Sequence, residues 1–486
     1  MAKKGIINIS GISESRTAYI AQEICKEEGQ SIIVVASELR AKRLASDLSF
    51  FASKNVYALP AEDEVFLRYE AKNNDRLIER LKILKALRTG EDCIVVAPVS
   101  AAIKKITPHS SFEENSLKIK QGDDIEITEI RDRLVAMGYD RTDIVDSRGQ
   151  FGIRGGIIDV FTPDANDPYR IELFDTEVDS IRTFDLDTQR SIENLKYIEI
   201  YPAEQVMVDK DQYEVAASRL FKEYTAQAGK LDRAGQKAKD KEAAEGLDDT
   251  ESRRLFEAAA NLTKRRDELC EYIRNVSNIQ LLENYLQYFY DETEYLWDYM
   301  EDGTLIVDDP ERIYEFLDTR SAELKEDFKV LLERGQIVPK DTELISDKTD
   351  FLKLYKEPLV YVISPFPKAI KGIDTYTELY NIQSRQMITF NGHMDLLETE
   401  LKNYVKKNYM VYIVAGARER LDNLKEFCER AGIETNVIFK EGTLTAGMDF
   451  PEEKLCYISE NDIFAAHKSG AKKRAGKAKT KGQKIQ

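Results

Sequence analysis

Two uninterrupted apolar runs, SIIVVAS at residues 31–37 and DCIVVAPV at 92–99, constrain this chain more than anything else in it. A strand with no polar face must be covered on both sides, which is the situation in parallel sheets flanked by helices. The intervening segments supply those helices. RTAYIAQEICKEEG (16–29), ELRAKRLASDLSFFASK (38–54) and DRLIERLKILKALRTG (75–90) carry apolar residues near three-four spacing, and Gly29 and Gly90 stop two of them. GIINIS (5–10) and VYALPAE (56–62) add shorter strands. Residues 1–117 are therefore expected to form a parallel α/β domain with P-loop-like element order.

Past residue 117 the pattern shortens. GIIDVFTPDANDPYRIELFD (156–175) sets a Pro/Asp/Asn cluster between two strand-like runs, an antiparallel hairpin with a longer loop. Residues 118–206 read as a small β-rich insert. Residues 207–345 are mostly helical and highly charged. QKAKDKEAAEGLDDTESRR (236–254) is polar all round, which predicts an exposed or mobile stretch. LLENYLQYFYDETEYLWDYM (281–300) reads as packed core around Trp297, and TLIVDD (304–309) as a strand returning to the first sheet. A second α/β unit is expected over 350–465, with strands at LVYVISPF (359–366), QMITFN (386–391), MVYIVAG (410–416) and NVIFKEG (436–442). The fold class is thus multidomain α/β: a degenerate P-loop-like domain, a β-rich insert and a second α/β domain.

Charge narrows the function. The net charge is −17, yet residues 466–486 hold eight Lys and Arg and no acid, so the remainder carries −25. An acidic body repels duplex DNA over its broad surface. The basic Gly/Ala/Lys-rich end reads as a flexible linker, with a weak nucleic-acid arm as the second reading. Five dispersed cysteines and three histidines argue against a disulfide framework or a metal cluster and for a reducing cytoplasm. No apolar run reaches the roughly 20 residues that span a bilayer, and MAKKGIINIS has no signal-peptide core.

Three stretches invite a nucleotide. SGISESRT (10–17) lies between strand and helix, where a phosphate loop would sit, and Gly11 and Thr17 match its ends. Ser15 stands in place of the second glycine and Arg16 in place of the lysine, so tight ATP binding is not expected. LIVDDPER (305–312) resembles a magnesium-positioning strand end through Asp308 and Asp309, but Pro310 favours an Asp-Asp-Pro turn. GQFGIRGG (149–156) precedes a strand rather than a helix, so its glycines serve turns and bulges, not phosphates. No nucleophile–base pairing emerges, and no catalytic residue is assigned.

Strand alternation places Arg170, Glu172 and Phe174 on one face of YRIELF and Ile171 and Leu173 on the other. With Arg154 between glycines on the preceding limb, that face reads equally as a protein-binding spot or as an ordinary Arg170–Glu172 surface ion pair. Here a family resemblance enters. RGGIIDVF, YRIELFD, EVDSIRTFD and TQRS, in order, closely resemble the second domain of the bacterial transcription-repair coupling factor (Mfd) family and are similar to the matching domain of UvrB. LPAEDEVF, RLIERLKILKAL, TLIVDDPERI, FNGHMDLLETELKNY and YIVAGARERLDNL extend the resemblance along the chain.

The resemblance implies a UvrB-like module with lost Walker motifs, whose second domain binds UvrA through positions matching Arg154, Arg170 and Phe174, with Glu172 beside them. It implies an amino-terminal fragment, lacking the polymerase-binding and motor domains that use ATP and magnesium. RNA polymerase and DNA would then be partners of the full-length protein alone. The chain would be a non-catalytic adaptor with no cofactor, recruiting UvrA to stalled polymerase. The rival is an ATP-dependent UvrB-like repair enzyme that binds nucleotide and DNA directly. On the adaptor reading, Arg170→Ala is expected to abolish UvrA capture and leave the melt unchanged.

Overall fold

A computed structural model describes residues 4–12, 14–27, 29–61, 74–206, 210–275, 279–433 and 435–464. The basic end from 466 and the EDEVF portion of the family motif, residues 62–66, lie outside them. Two compact units result, Met1–Ile382 and Gln383–Gln486.

Seven strands form the central sheet of the first unit, in the order Glu378–Asn381, Gly5–Ser10, Leu359–Ser364, Gly303–Asp308, Gln30–Val35, Cys93–Pro98 and Asn55–Ala58. Every pairing is parallel. The strands Gln30–Val35 and Cys93–Pro98 are buried at each residue, as their unbroken apolar runs require. TLIVDD returns to this sheet as expected. LVYVISPF does not start the second unit: it pairs with the first strand and with Gly303–Asp308, through Gly5↔Leu359 and Leu305↔Val360. An apolar strand satisfies any parallel neighbour equally, so its membership is set by distant partners rather than by its own pattern.

The β-rich insert is a six-stranded sheet, in the order Ser191–Leu195, Glu177–Phe184, Tyr169–Phe174, Ile157–Phe161, Gln150–Arg154 and Asp140–Arg141. Phe151, Ile158, Val160, Ile171 and Ile181 form its inner face, and Ile130 and Leu134 of the helix Ile127–Ala136 join the same core.

The stretch expected to be exposed or mobile is exposed at nearly every residue, and it joins two long antiparallel helices, Lys210–Glu245 and Thr250–Arg274. Local capping explains it. Gly246 (φ +65°) lets the chain turn, and the Leu247 N–H closes onto the Glu242 carbonyl at 2.9 Å. The Glu242 carboxylate accepts the Glu251 and Ser252 N–H groups at the start of the second helix. Trp297 stacks on Tyr295 in the core, as the aromatic segment implied. Among the described residues no helix is long and apolar enough to cross a membrane.

In the second unit the strands run Arg385–Gln386, Met448–Phe450, Leu455–Ser459, Met410–Ala415 and Val437–Glu441. The last three are mutually parallel. QMITFN forms no full strand: pairing there ends at Gln386. Asp462 is buried, with one carboxylate oxygen accepting the Gly447 and Ser459 N–H groups. Burial pushes its pKa from 3.8 to about 6.

Two predictions follow from this packing. A Cβ on Gly335 (φ +64°) would sit 2.0 Å from the Ala258 carbonyl oxygen, whereas one on the helical Gly229 meets nothing within 4 Å. Gly335→Ala is expected to cost about 2 kcal/mol or more in urea denaturation, and Gly229→Ala to stabilise by up to ~1 kcal/mol. Asp462 binds its proton more tightly folded than unfolded, so its contribution is complete below about pH 4 and lost as pH rises through 6. Relative to Asp462→Asn, the wild type should lose about 2 kcal/mol between pH 4 and pH 7.5. A pH-independent difference would refute that assignment.

Candidate protein-binding face

Gly155 and Gly156 form the two-residue turn between Gln150–Arg154 and Ile157–Phe161, with Arg154 opposite Ile157. Gly155 has φ +60°, and a Cβ on Gly156 would come 2.8 Å from the Leu173 carbonyl oxygen. The glycines thus give a tight hairpin and let the Tyr169–Phe174 strand approach closely. This answers to the turn reading of GQFGIRGG.

Register then builds the face. Asp159 stands opposite Gly152 and Arg170, and Arg170 stands opposite Arg182. One row further, Arg154, Ile157, Glu172 and Ser180 align across the strands. Paired residues share a face, so these polar side chains gather on the side away from the inner core.

Asp159 organises them. Its side chain is 4% exposed and receives Arg170 Nε at 2.6 Å and Nη2 at 2.8 Å, a two-pronged contact, plus Arg154 Nη2 at 3.0 Å. Arg170 also donates to Gln189 Oε1 at 2.9 Å and lies 4.1 Å over the Phe184 ring. Its hydrogen bond to Asp159 raises its already high pKa. Glu172 accepts both terminal nitrogens of Arg182 and the Ser180 hydroxyl. The Arg182 hydrogen bond comes first among the causes that lower its pKa.

Two expectations need correction. Arg170 and Glu172 do not pair with each other; each takes its partner from a neighbouring strand, Arg170 from the directly opposed Asp159 and Glu172 from the diagonal Arg182, whose long side chain spans the offset. Nor is Arg170 freely displayed: its side chain is 12% exposed, held over Phe184 by Asp159. Arg154 remains half exposed at 52%. Phe174, at the end of its strand before Asp175 (φ +60°), is 80% exposed. Sequence reasoning missed Asp159 and Arg182. Asp159 had a signal: it is the one acid inside the otherwise apolar run GIIDVF.

The other candidate residues meet at the ends of the central strands. Thr17 donates to Asp308 Oδ1 at 3.2 Å, and Arg40 Nε donates to Asp308 Oδ2 at 2.8 Å. Arg40 also holds the Glu14 carbonyl at 3.0 Å, and Arg312 reaches the Glu14 carboxylate at 3.4 Å. The residues that a working P-loop would set around a magnesium ion thus bond to each other and to a guanidinium, and an acid occupies the loop where phosphates would lie. Gly11 (φ +85°) meets the Ile382 carbonyl closely, so its role is backbone packing. Arg16 is half-buried, which lowers its pKa. Asp309 (φ 51°) is no turn centre: it precedes the helix Pro310–Glu333, with Pro310 in the first helical position, where a missing N–H costs nothing. Burial, then the neighbouring Asp308, raises its pKa. As bonded here, the Asp308 carboxylate is taken by Thr17 and Arg40, and a magnesium ion would have to displace them. Among the described residues no cluster of three or more metal-ligating side chains occurs.

Comparison with known proteins places the segment that carries this face in a known domain family. Residues 117–205 match the UvrB interaction domain. The transcription-repair-coupling factor of Bacillus subtilis (strain 168) is 31% identical over 97% of this chain and 39% of its own length. Those of Staphylococcus haemolyticus and Staphylococcus aureus (strain Mu50) are 27% and 25% identical over 96% and 98% of the chain. The chain spans about two-fifths of the length of these curated relatives. It is, along nearly its whole length, a relative of the amino-terminal part of the bacterial transcription-repair-coupling factors.

Proposed function

We propose that this chain is a non-catalytic adaptor of the cytoplasm that presents the outer face of its six-stranded sheet to UvrA, bringing nucleotide excision repair to stalled RNA polymerase. The observation that carries the reading is Phe174, a benzyl group 80% exposed beside a fixed guanidinium network, in a segment that matches the UvrB interaction domain. An exposed aromatic beside an oriented arginine is the composition of an interface anchor, because it adds apolar burial to charge-assisted hydrogen bonds with little further ordering. Arg154 supplies the reachable guanidinium. Arg170 and Glu172 act mainly by holding the face in shape. Contacts with RNA polymerase and DNA belong, on this reading, to the full-length relatives.

The rival, an ATP-dependent UvrB-like repair enzyme, has to displace Arg40 from Asp308 before a metal could reach that carboxylate. Nothing in the geometry favours it.

In pull-down or titration with purified UvrA, Phe174→Ala and Arg154→Ala should each weaken capture by about 2 kcal/mol, near thirtyfold, with unchanged melting. Arg170→Ala differs from the earlier expectation. It leaves the buried Asp159 with Arg154 alone, so it should also destabilise the domain, by about 3 kcal/mol. Wild-type capture by both the Phe174 and Arg154 variants would sink the site. A fluorescent ATP analogue with magnesium should show no saturable binding in the micromolar range. Micromolar binding that Thr17→Val removes would instead establish the rival.

A further inference from the structure

The helix Lys210–Glu245, the turn that follows Leu286–Phe289 and the short helical segment Pro339–Leu344 enclose a cleft of about 400 Å³. That is room for a small ligand. Among its lining residues Leu344 alone is aliphatic, so the cleft does not select for an apolar body.

Three cations reach it from three separate stretches of chain: Lys105, Arg219 and Lys340. How each is held decides what the cleft can do. Lys105 Nζ donates to the Glu343 carbonyl at 2.5 Å. Arg219 Nη1 donates to the Tyr288 carbonyl at 3.3 Å. Lys340 Nζ lies 5.8 Å from the centre of the Tyr288 ring. A carbonyl or a ring face orients a cation without cancelling its charge. The chain has 88 acidic against 71 basic residues, yet neither lysine has an ion-pair partner among the described residues. The Lys105 contact is open to solvent and Arg219 is 40% exposed, so a solute can reach them.

Two acids share the cleft. Asp291 pairs with Arg219 at 3.0 Å, but its side chain is 86% exposed, and so open an ion pair is weak. Glu343 is exposed, and its carboxylate takes neither lysine. Three cations against two carboxylates leave the lining positive. Donors arriving from three directions suit an anion with oxygens on several sides. A phosphate group has them, whereas a planar carboxylate offers two. A long polyanion is disfavoured, because a chain of net charge −17 repels it.

We infer that this cleft binds a phosphate group, free or on a small polar molecule, held by Lys105, Lys340 and Arg219. Isothermal titration of the whole chain at low ionic strength, with glycerol 3-phosphate and with inorganic phosphate, should give saturable one-to-one binding at about millimolar or tighter. Tighter binding of glycerol 3-phosphate marks a monoester site, and the reverse marks a site for free phosphate. Acetate should bind about tenfold more weakly or worse. Lys105→Met with Lys340→Met should weaken phosphate about tenfold or more and leave the melt nearly unchanged, since neither ammonium holds a carboxylate. Glu343→Gln should tighten binding about threefold by removing a like charge, a gain that a merely structural lysine pair would not give. Lys325→Met with Lys329→Met, exposed on the helix Pro310–Glu333, should change nothing, which separates the cleft from overall charge. Phosphate binding that survives the loss of Lys105 and Lys340, or acetate as tight as phosphate, would overturn the assignment. So would the absence of saturable binding up to about 10 mM, or tighter binding of a 5′-phosphorylated oligonucleotide than of either small phosphate.

Discussion

One buried carboxylate orders the candidate face. Asp159 sits in the middle of an apolar strand, its side chain 4% exposed, where an unpaired charge would cost several kcal/mol. The sheet can keep it only by bringing guanidinium groups to it. Register does so: Arg170 lies directly across one strand boundary, and Arg154 reaches in from the adjoining hairpin limb. The requirement to satisfy Asp159 therefore fixes two arginine orientations at once. It also holds Arg170 over the Phe184 ring rather than extending it into solvent.

The same physics closes the strand ends of the central sheet. Asp308 is buried and acidic, and Arg40 and Thr17 supply its partners. A P-loop fold ordinarily brings a threonine hydroxyl and an acid together around a metal ion. Here a guanidinium fixed to the protein provides the positive charge, and a hydroxyl donates directly. A tethered cation has no translational entropy to lose, so a metal competing for Asp308 must overcome an intramolecular partner held at high effective concentration. Glu14, held by Arg312, adds an acid in the loop above. A nucleotide's metal would thus have to displace Arg40 and Thr17 from the acid, and its phosphates would have to replace the Glu14–Arg312 pair.

Much of this was legible in the amino-acid sequence, for identifiable reasons. The strands at 30–35 and 93–98 follow from unbroken β-branched runs, and the tight hairpin follows from Gly155 and Gly156. Alternation assigned Arg170 and Phe174 to the outer face. It could not name Arg170's partner, because that pairing depends on register between strands, not on spacing within one. Arg40 carried no signal at all, since its carboxylate lies 268 residues away. Leu359–Ser364 was placed in the wrong unit for the same reason. The helices of the hairpin were legible, but its ordered turn was not, because that polar turn is stabilised by capping hydrogen bonds rather than by an apolar stripe.

Division of labour on the candidate face follows from exposure. Arg170, Arg182 and Glu172 already have their hydrogen-bonding partners within the sheet, so a docking protein gains little new bonding from them. What they provide is rigidity: a partner need not order flexible charged side chains on arrival. Phe174 is in the opposite state, with most of its surface in water and hence most of its apolar transfer free energy still to be gained. Arg154 lies between, half exposed and bonded to Asp159 through one nitrogen in the ion-pair network. Its remaining N–H groups can serve a partner while Asp159 fixes the direction in which they point. On the proposed docking role, a rigid charged platform that leaves a benzyl group unburied at its edge would concentrate the binding energy at the rim, where Phe174 and Arg154 stand.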